Sequence, residues 1–121
     1  MITHVLDSNL FILHLAGSKN LSFQRGTVAV STLTVFELLR FPGMTQEEED
    51  ALRELLLLCR TVSVSPTIAE RAAMIARTHA KIGSVDLLIA STALELDVPL
   101  VTKNKRHFKG IAGLEVLEHL S

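Results

Sequence analysis

The feature that most constrains this chain is the stretch Ile82–Asn104, IGSVDLLIASTALELDVPLVTKN. From Leu87 to Leu94 it is apolar or small on every side of a helix, so that helix belongs in an interior. Ser84 is placed to cap it, and Asp86 sits in its first turn, where the helix dipole favours a carboxylate. Asp97-Val98-Pro99 breaks the helix. Leu100-Val101-Thr102 then reads as a strand without polar alternation, as in a parallel sheet covered on both faces. A single carboxylate at the head of such a helix demands a reason.

The rest of the chain supplies the sheet. Ile2–Leu6 reads as a first strand ending at Asp7, followed by a helix over Asn9–Leu15 closed by Gly17. Thr27–Val30 is a second buried strand, and Ser31 caps a helix over Thr32–Arg40 that Pro42-Gly43 stops. Thr45 and Glu48 form a capping box that opens a helix over Gln46–Cys59. A third strand is expected over Thr61–Val64. Ser65-Pro66 then starts a helix that runs to Lys81. Gly110–Gly113 is a turn before a possible edge strand, Leu114–Leu117. Strands alternating with helices predict an α/β fold, a three-layer α/β/α sandwich around a parallel sheet of four to five strands. At 121 residues the whole chain, 1–121, reads as one domain.

Composition narrows the functions. A formal net charge of −1 gives no global attraction to nucleic acid or membrane, so any anionic polymer must be held locally. The lone Cys59 excludes an internal disulfide and fits a reducing, cytoplasmic setting. No secretory leader is expected, because Asp7 interrupts the apolar start and no basic segment precedes it. The unbroken apolar run Leu55–Cys59 is far too short to span a membrane. The absence of Trp and Tyr argues against a base-stacking platform.

In doubly wound sheets the ligand site lies beyond the carboxyl ends of the strands. Asp7 ends strand one, Glu37 lies in the second turn of the helix after strand two, Asp86 heads the helix before strand four, and Asn104 follows strand four. Topology brings all four to one edge. Glu37 is placed on an apolar stripe with Leu33 and Phe36, and Asp86 on one with Ile89, Ala90 and Ala93. Carboxylates gathered near an interior repel one another unless a cation joins them, and hard Mg²⁺ or Mn²⁺ suits such oxygen donors. Lys103, Lys105, Arg106 and Lys109 adjoin the same edge and are candidates to hold a phosphate backbone. Acids for a metal beside bases for phosphates is the charge layout of a nuclease.

The segments VLDSNLFI, STLTVFELLR and SVDLLIASTALELDVPLVTKNKRHF together resemble the PIN-domain nucleases, and within them the small toxins of VapC type. The resemblance covers nearly the whole chain. Asp7, Glu37 and Asp86 occupy the family's three acidic positions, Asn9 matches an asparagine common beside the first, and Thr102 matches a hydroxyl before the fourth. The chain departs from the pattern at the fourth position, where it carries Asn104, and at His107, where an acid often precedes the phenylalanine.

The resemblance implies a Mg²⁺- or Mn²⁺-dependent endoribonuclease with one or two ions per site, leaving a 5′-phosphate and a 3′-hydroxyl. It also implies a small cognate antitoxin as partner, and a homodimer. Asp7, Glu37 and Asp86 would then be both catalytic and metal-holding, Asn104 a ligand through water, and Asn9 and Thr102 helpers. His107 is read as a loop or interface residue. The alternative is a catalytically weak member of the same fold that serves mainly in a protein complex. A phosphoacceptor receiver domain is the third reading, but it wants paired acids near strand one, and Asp7-Ser8-Asn9 offers one.

Overall fold

A computed structural model describes residues 1–18 and 20–120. Its strands are β1 (His4–Leu6), β2 (Val28–Ser31), β3 (Arg60–Val62), β4 (Leu100–Val101) and β5 (Val116–Leu117). Its α-helices are α1 (Ser8–Leu15), α2 (Thr32–Leu39), α3 (Gln46–Leu57), α4 (Pro66–Ala76) and α5 (Ser84–Leu96), with a short 3-10 helix at Lys105–Phe108. The five strands pair in the order β3-β2-β1-β4-β5, and every pairing is parallel.

Alternation along the strands divides the core in two. Leu6, Val28, Val30 and Val101 pack with Leu10, Phe11, Leu38 and Leu52 on the side of α1, α2 and α3. Val5, Ala29 and Leu100 face the other way, onto Ile89, Ala90 and Ala93 of α5 and onto Phe108. Helices thus cover both faces, and the apolar α5 is buried as its composition demands: Leu87 and Ile89 to Ala93 are all inaccessible.

The local start signals act as their chemistry dictates. Ser31 accepts from the Leu33 N–H, Ser65 from the Ile68 N–H, and Thr45 with Glu48 closes the full capping box. Gly17 takes the left-handed φ of +75° that ends α1.

Five expectations are corrected. The cap of α5 is Gly83, not Ser84: the Leu87 N–H bonds to the Gly83 carbonyl, so the helix begins one residue earlier and no side chain caps it. The helix expected to reach Lys81 ends at Ala76, because the Arg77 and Thr78 N–H groups reach back only three residues and tighten the last turn. The helices after β2 and before β3 stop short of Arg40 and Cys59, at Leu39 and Leu57. Finally, Phe36 is not on a buried stripe with Glu37. Adjacent residues on a helix diverge by roughly 100°. Phe36 is 62% exposed, whereas Thr34, three residues before Glu37, is buried.

Candidate active site

The sheet reverses its winding between β1 and β4, and the crevice at that switch point is where Asp7 and Thr102 emerge side by side. Asp7 is 5% exposed and heads α1, its Oδ1 accepting from the Ser8 N–H at 2.8 Å. Its Oδ2 accepts from the Thr102 hydroxyl at 2.8 Å and, more distantly, from Asn9 Nδ2 at 3.5 Å.

Asn9 and Thr102 also bind each other and the chain around them. Asn9 Nδ2 donates to Thr102 Oγ1 at 3.1 Å, the Asn104 N–H donates to the same hydroxyl oxygen at 3.0 Å, and the Lys103 N–H donates to Asn9 Oδ1 at 3.1 Å. A buried carboxylate needs such donors, since stripping it of water costs several kcal/mol when nothing replaces the water. The network crosses from β1 to the end of β4 and fixes one face of Asp7.

Glu37 is treated differently. Burial, then the charges of Asp7 and Asp86, push its pKa above 4.5, against a hydrogen bond from Ser8 and the charge of Arg40. Its Oε1 is buried without a hydrogen-bond partner. Asp86 is likewise raised by burial and by Asp7, and is opposed by His107, whose Nδ1 lies 3.3 Å from Asp86 Oδ2. Each acid therefore feels at least one of the others, which places the three in a common field.

Among the described residues, no group of three or more His, Cys, Asp or Glu side chains already stands in the arrangement of a metal-binding cluster. The donor chemistry nevertheless fits a hard divalent ion: the donors are carboxylate oxygens, and the orphaned Glu37 Oε1 is a buried acceptor that only a proton donor or a cation can satisfy.

The remaining candidates separate. Asn104 is exposed, its backbone joins the Thr102 network, and its side chain makes no hydrogen bond among the described residues. Lys103 Nζ is drawn off to His119 Nδ1 at 3.3 Å. Arg106 and Lys109 line a cleft that reaches Asp86, and with Lys105 they also border a second hollow beside β5. His107 is the residue whose contact no local pattern announces. It lies in that loop, yet its ring reaches Asp86, 21 residues before it. Its one sequence signal was its place in the motif, where relatives often carry an acid. Arg40 does not pair with Glu37; its guanidinium lies 5.7 Å from the centre of the Phe36 ring.

Among the described residues, no helix is long and apolar enough to cross a membrane. Ribonuclease VapC19 of Mycobacterium tuberculosis is 38% identical over 85 residues, a match covering 67% of this chain and 66% of that protein, so the chain spans just under two thirds of this relative's length. Ribonuclease VapC10 of the same organism is 32% identical over 114 residues, covering 86% of this chain and 84% of the relative. The crystal structure of VapBC-5 from Mycobacterium tuberculosis, a member of the VapBC family of toxin–antitoxin systems, superimposes with a TM-score of 0.72 at 23% identity, over 97% of this chain and 98% of that one. The PIN domain family model matches residues 4–114. The expected fold and its parallel sheet are thus the observed ones, and the chain belongs to the PIN domain family.

Proposed function

We propose that this protein is a divalent-metal-dependent endoribonuclease and the toxin of a toxin–antitoxin pair. The observation that carries the reading is the buried, unpartnered Oε1 of Glu37 beside two further acids at the switch point of the sheet. A carboxylate left in that position is best stabilised by a cation. The names of VapC19 and VapC10 support ribonuclease as the activity, and the VapBC-5 complex supports a small antitoxin as partner.

In this reading Asp7, Glu37 and Asp86 would hold Mg²⁺ or Mn²⁺. The bound ion supplies Lewis acidity and charge neutralisation at the phosphodiester. Thr102 and Asn9 fix the orientation of Asp7 Oδ2, as the partners behind a ligand generally do. Ser8 steadies Glu37, and His107 steers Asp86 Oδ2. Cationic side chains of the 105–109 loop hold phosphates next to the bond to be cut. Asn104 reaches the site through water. The protein acts as a homodimer in the cytoplasm, where Cys59 suits the reducing conditions; burial pushes its thiol up to about 12.

The test is cleavage of a panel of structured RNAs with and without Mn²⁺, beside Asp7→Asn and Asp86→Asn. Metal-dependent cutting lost in both variants supports the reading. Cutting that survives both substitutions refutes the site. Metal binding without cutting favours instead a catalytically weak module of a complex.

A further inference from the structure

Five cationic or imidazole side chains meet Asp86 around one open cleft of about 470 Å³. Its walls come from two segments. The turn between α4 and α5 contributes His79, Lys81, Ile82 and Gly83, and the 3-10 helix with its following residue contributes Arg106, His107 and Lys109. Their roles differ. His79 Nε2 lies 3.0 Å from the Gly110 carbonyl oxygen; a carbonyl only accepts, so this nitrogen carries the hydrogen and ties the two walls together. His107 is engaged with Asp86 at the inner end. Lys81, Arg106 and Lys109 are exposed, and none forms an ion pair among the described residues.

Three like charges around one cleft, in a chain of net charge −1, repel one another, and none of the three is paired with an acid among the described residues. Among the described residues the only carboxylate lining the cleft is Asp86, and His107 already lies against it. The ligand that suits such a cleft is an anion with several charges in a row, one end of which reaches the carboxylates. The first turn of α5, uncapped by any side chain, opens onto the same cleft and adds its N–H groups to the anionic preference.

We propose that this cleft is the phosphate track for a single-stranded RNA segment on one side of the bond to be cut, with Lys81, Arg106 and Lys109 each on a backbone phosphate. The assignment rests on the nuclease reading above and adds to it: a binding residue from the α4–α5 turn, Lys81, and a direction in which the substrate leaves the acids. It removes Lys103, which lies against His119, from the track.

The experiment is binding of a fluorescent, uncleavable 2′-O-methyl dodecamer of mixed sequence, followed by anisotropy in EDTA at several salt concentrations. Each single-strand phosphate contact contributes a slope of about −0.7 in log affinity against log salt, so three give about −2, a loss of about 20-fold from 50 to 200 mM. The variant carrying Lys81→Gln, Arg106→Gln and Lys109→Gln is expected to lose nearly all of that slope. A control carrying Arg25→Gln, Arg53→Gln and Arg60→Gln removes the same charge from the loop before β2, from α3 and from the start of β3, and is expected to keep it. All six side chains are exposed, so both proteins are expected to fold, as far-UV circular dichroism checks.

An unchanged slope in the first variant, equal losses in both, or no binding by the wild type overturns the track. Cleavage with Mn²⁺ measured in parallel separates the two ideas. Cutting by the wild type with an unchanged slope in the first variant leaves the nuclease standing without the track. A slope lost as expected, with no cutting by the wild type, leaves an RNA-binding cleft without the nuclease.

Discussion

Replacing Thr102 by Val tests whether the site is held in place by the contact between β1 and the end of β4. The substitution keeps the shape of a side chain that is 0% exposed and exchanges only its hydroxyl for a methyl. That hydroxyl gives Asp7 Oδ2 its short hydrogen bond, 2.8 Å, the other donor to that oxygen being Asn9 at 3.5 Å. A hydrogen bond to a charged group is worth about 1.5–3 kcal/mol, so Thr102→Val should cost about 2 kcal/mol. The two donors that lose an acceptor, Asn9 Nδ2 and the Asn104 N–H, lie on residues with access to water and add little. With an unfolding entropy of ~2.1 cal/mol/K per residue, or about 0.25 kcal/mol/K for 121 residues, the midpoint should fall by about 8 °C.

The assay is thermal unfolding in EDTA at neutral pH, with Asp7→Asn and the double variant completing a cycle. Against an asparagine the bond becomes one between neutral groups, worth about 1 kcal/mol, so a coupling of about 1 kcal/mol is expected. Mn²⁺ affinity should weaken by roughly 10- to 100-fold in Thr102→Val, the usual effect of losing a partner behind a ligand. Destabilisation below about 0.5 kcal/mol, or strict additivity with Asp7→Asn, would refute the reasoning, since the hydroxyl would then not be serving a buried charge.

Two further outcomes follow from the electrostatics. Burial, Asp7 and Asp86 raise the Glu37 pKa, so between 4.5 and the raised value the folded chain binds more protons than the unfolded one, and stability falls as pH rises through that window. In EDTA, Glu37→Gln should therefore be more stable than the wild type at neutral pH and level with it at low pH, as denaturant titrations at several pH values would show; a less stable variant at neutral pH would contradict the assignment. For Cys59, a thiol pushed up to about 12 by burial leaves almost no thiolate near pH 8. Alkylation by iodoacetamide should be slow in the native protein and fast in denaturant, and equal rates by mass spectrometry would count against its burial.

What could be read from the sequence follows the range of the interactions involved. Ser31, Thr45 with Glu48, and Ser65 with Pro66 announce their helices because a cap is made within three residues of itself. The parallel sheet follows from strands with no polar alternation separated by helices, a pattern carried by every part of the chain. The end of α4 was not readable, because Lys81 belongs to a turn whose His79 reaches across to Gly110. The meeting of His107 with Asp86 escaped for the same reason: the fold, not the local sequence, brings that loop over the head of α5. Asp97 is a milder case. The break at Asp97-Val98-Pro99 is plain, but nothing local required Asp97 to take φ 56°, a left-handed cap more often given to glycine.

The three acids occupy different environments, and under the proposed function the difference explains how one site would serve both folding and cation binding. Asp7 lies at the switch point, where the ends of β1 and β4 supply it with donors, so its burial is balanced by the fold itself. Glu37 and Asp86 project from helices on opposite faces of the sheet and lack that supply. Glu37 keeps an oxygen with no partner, and Asp86 leans on a half-exposed imidazole. Had all three been satisfied like Asp7, a cation would have to displace hydrogen bonds worth as much as the ligation it offers. Had none been, their repulsion would fall on the β1–β4 seam at the centre of the sheet. Under the proposed function, one anchored acid and two that are poorly satisfied keep the repulsion on helix residues, away from that seam, and leave it available to favour a cation.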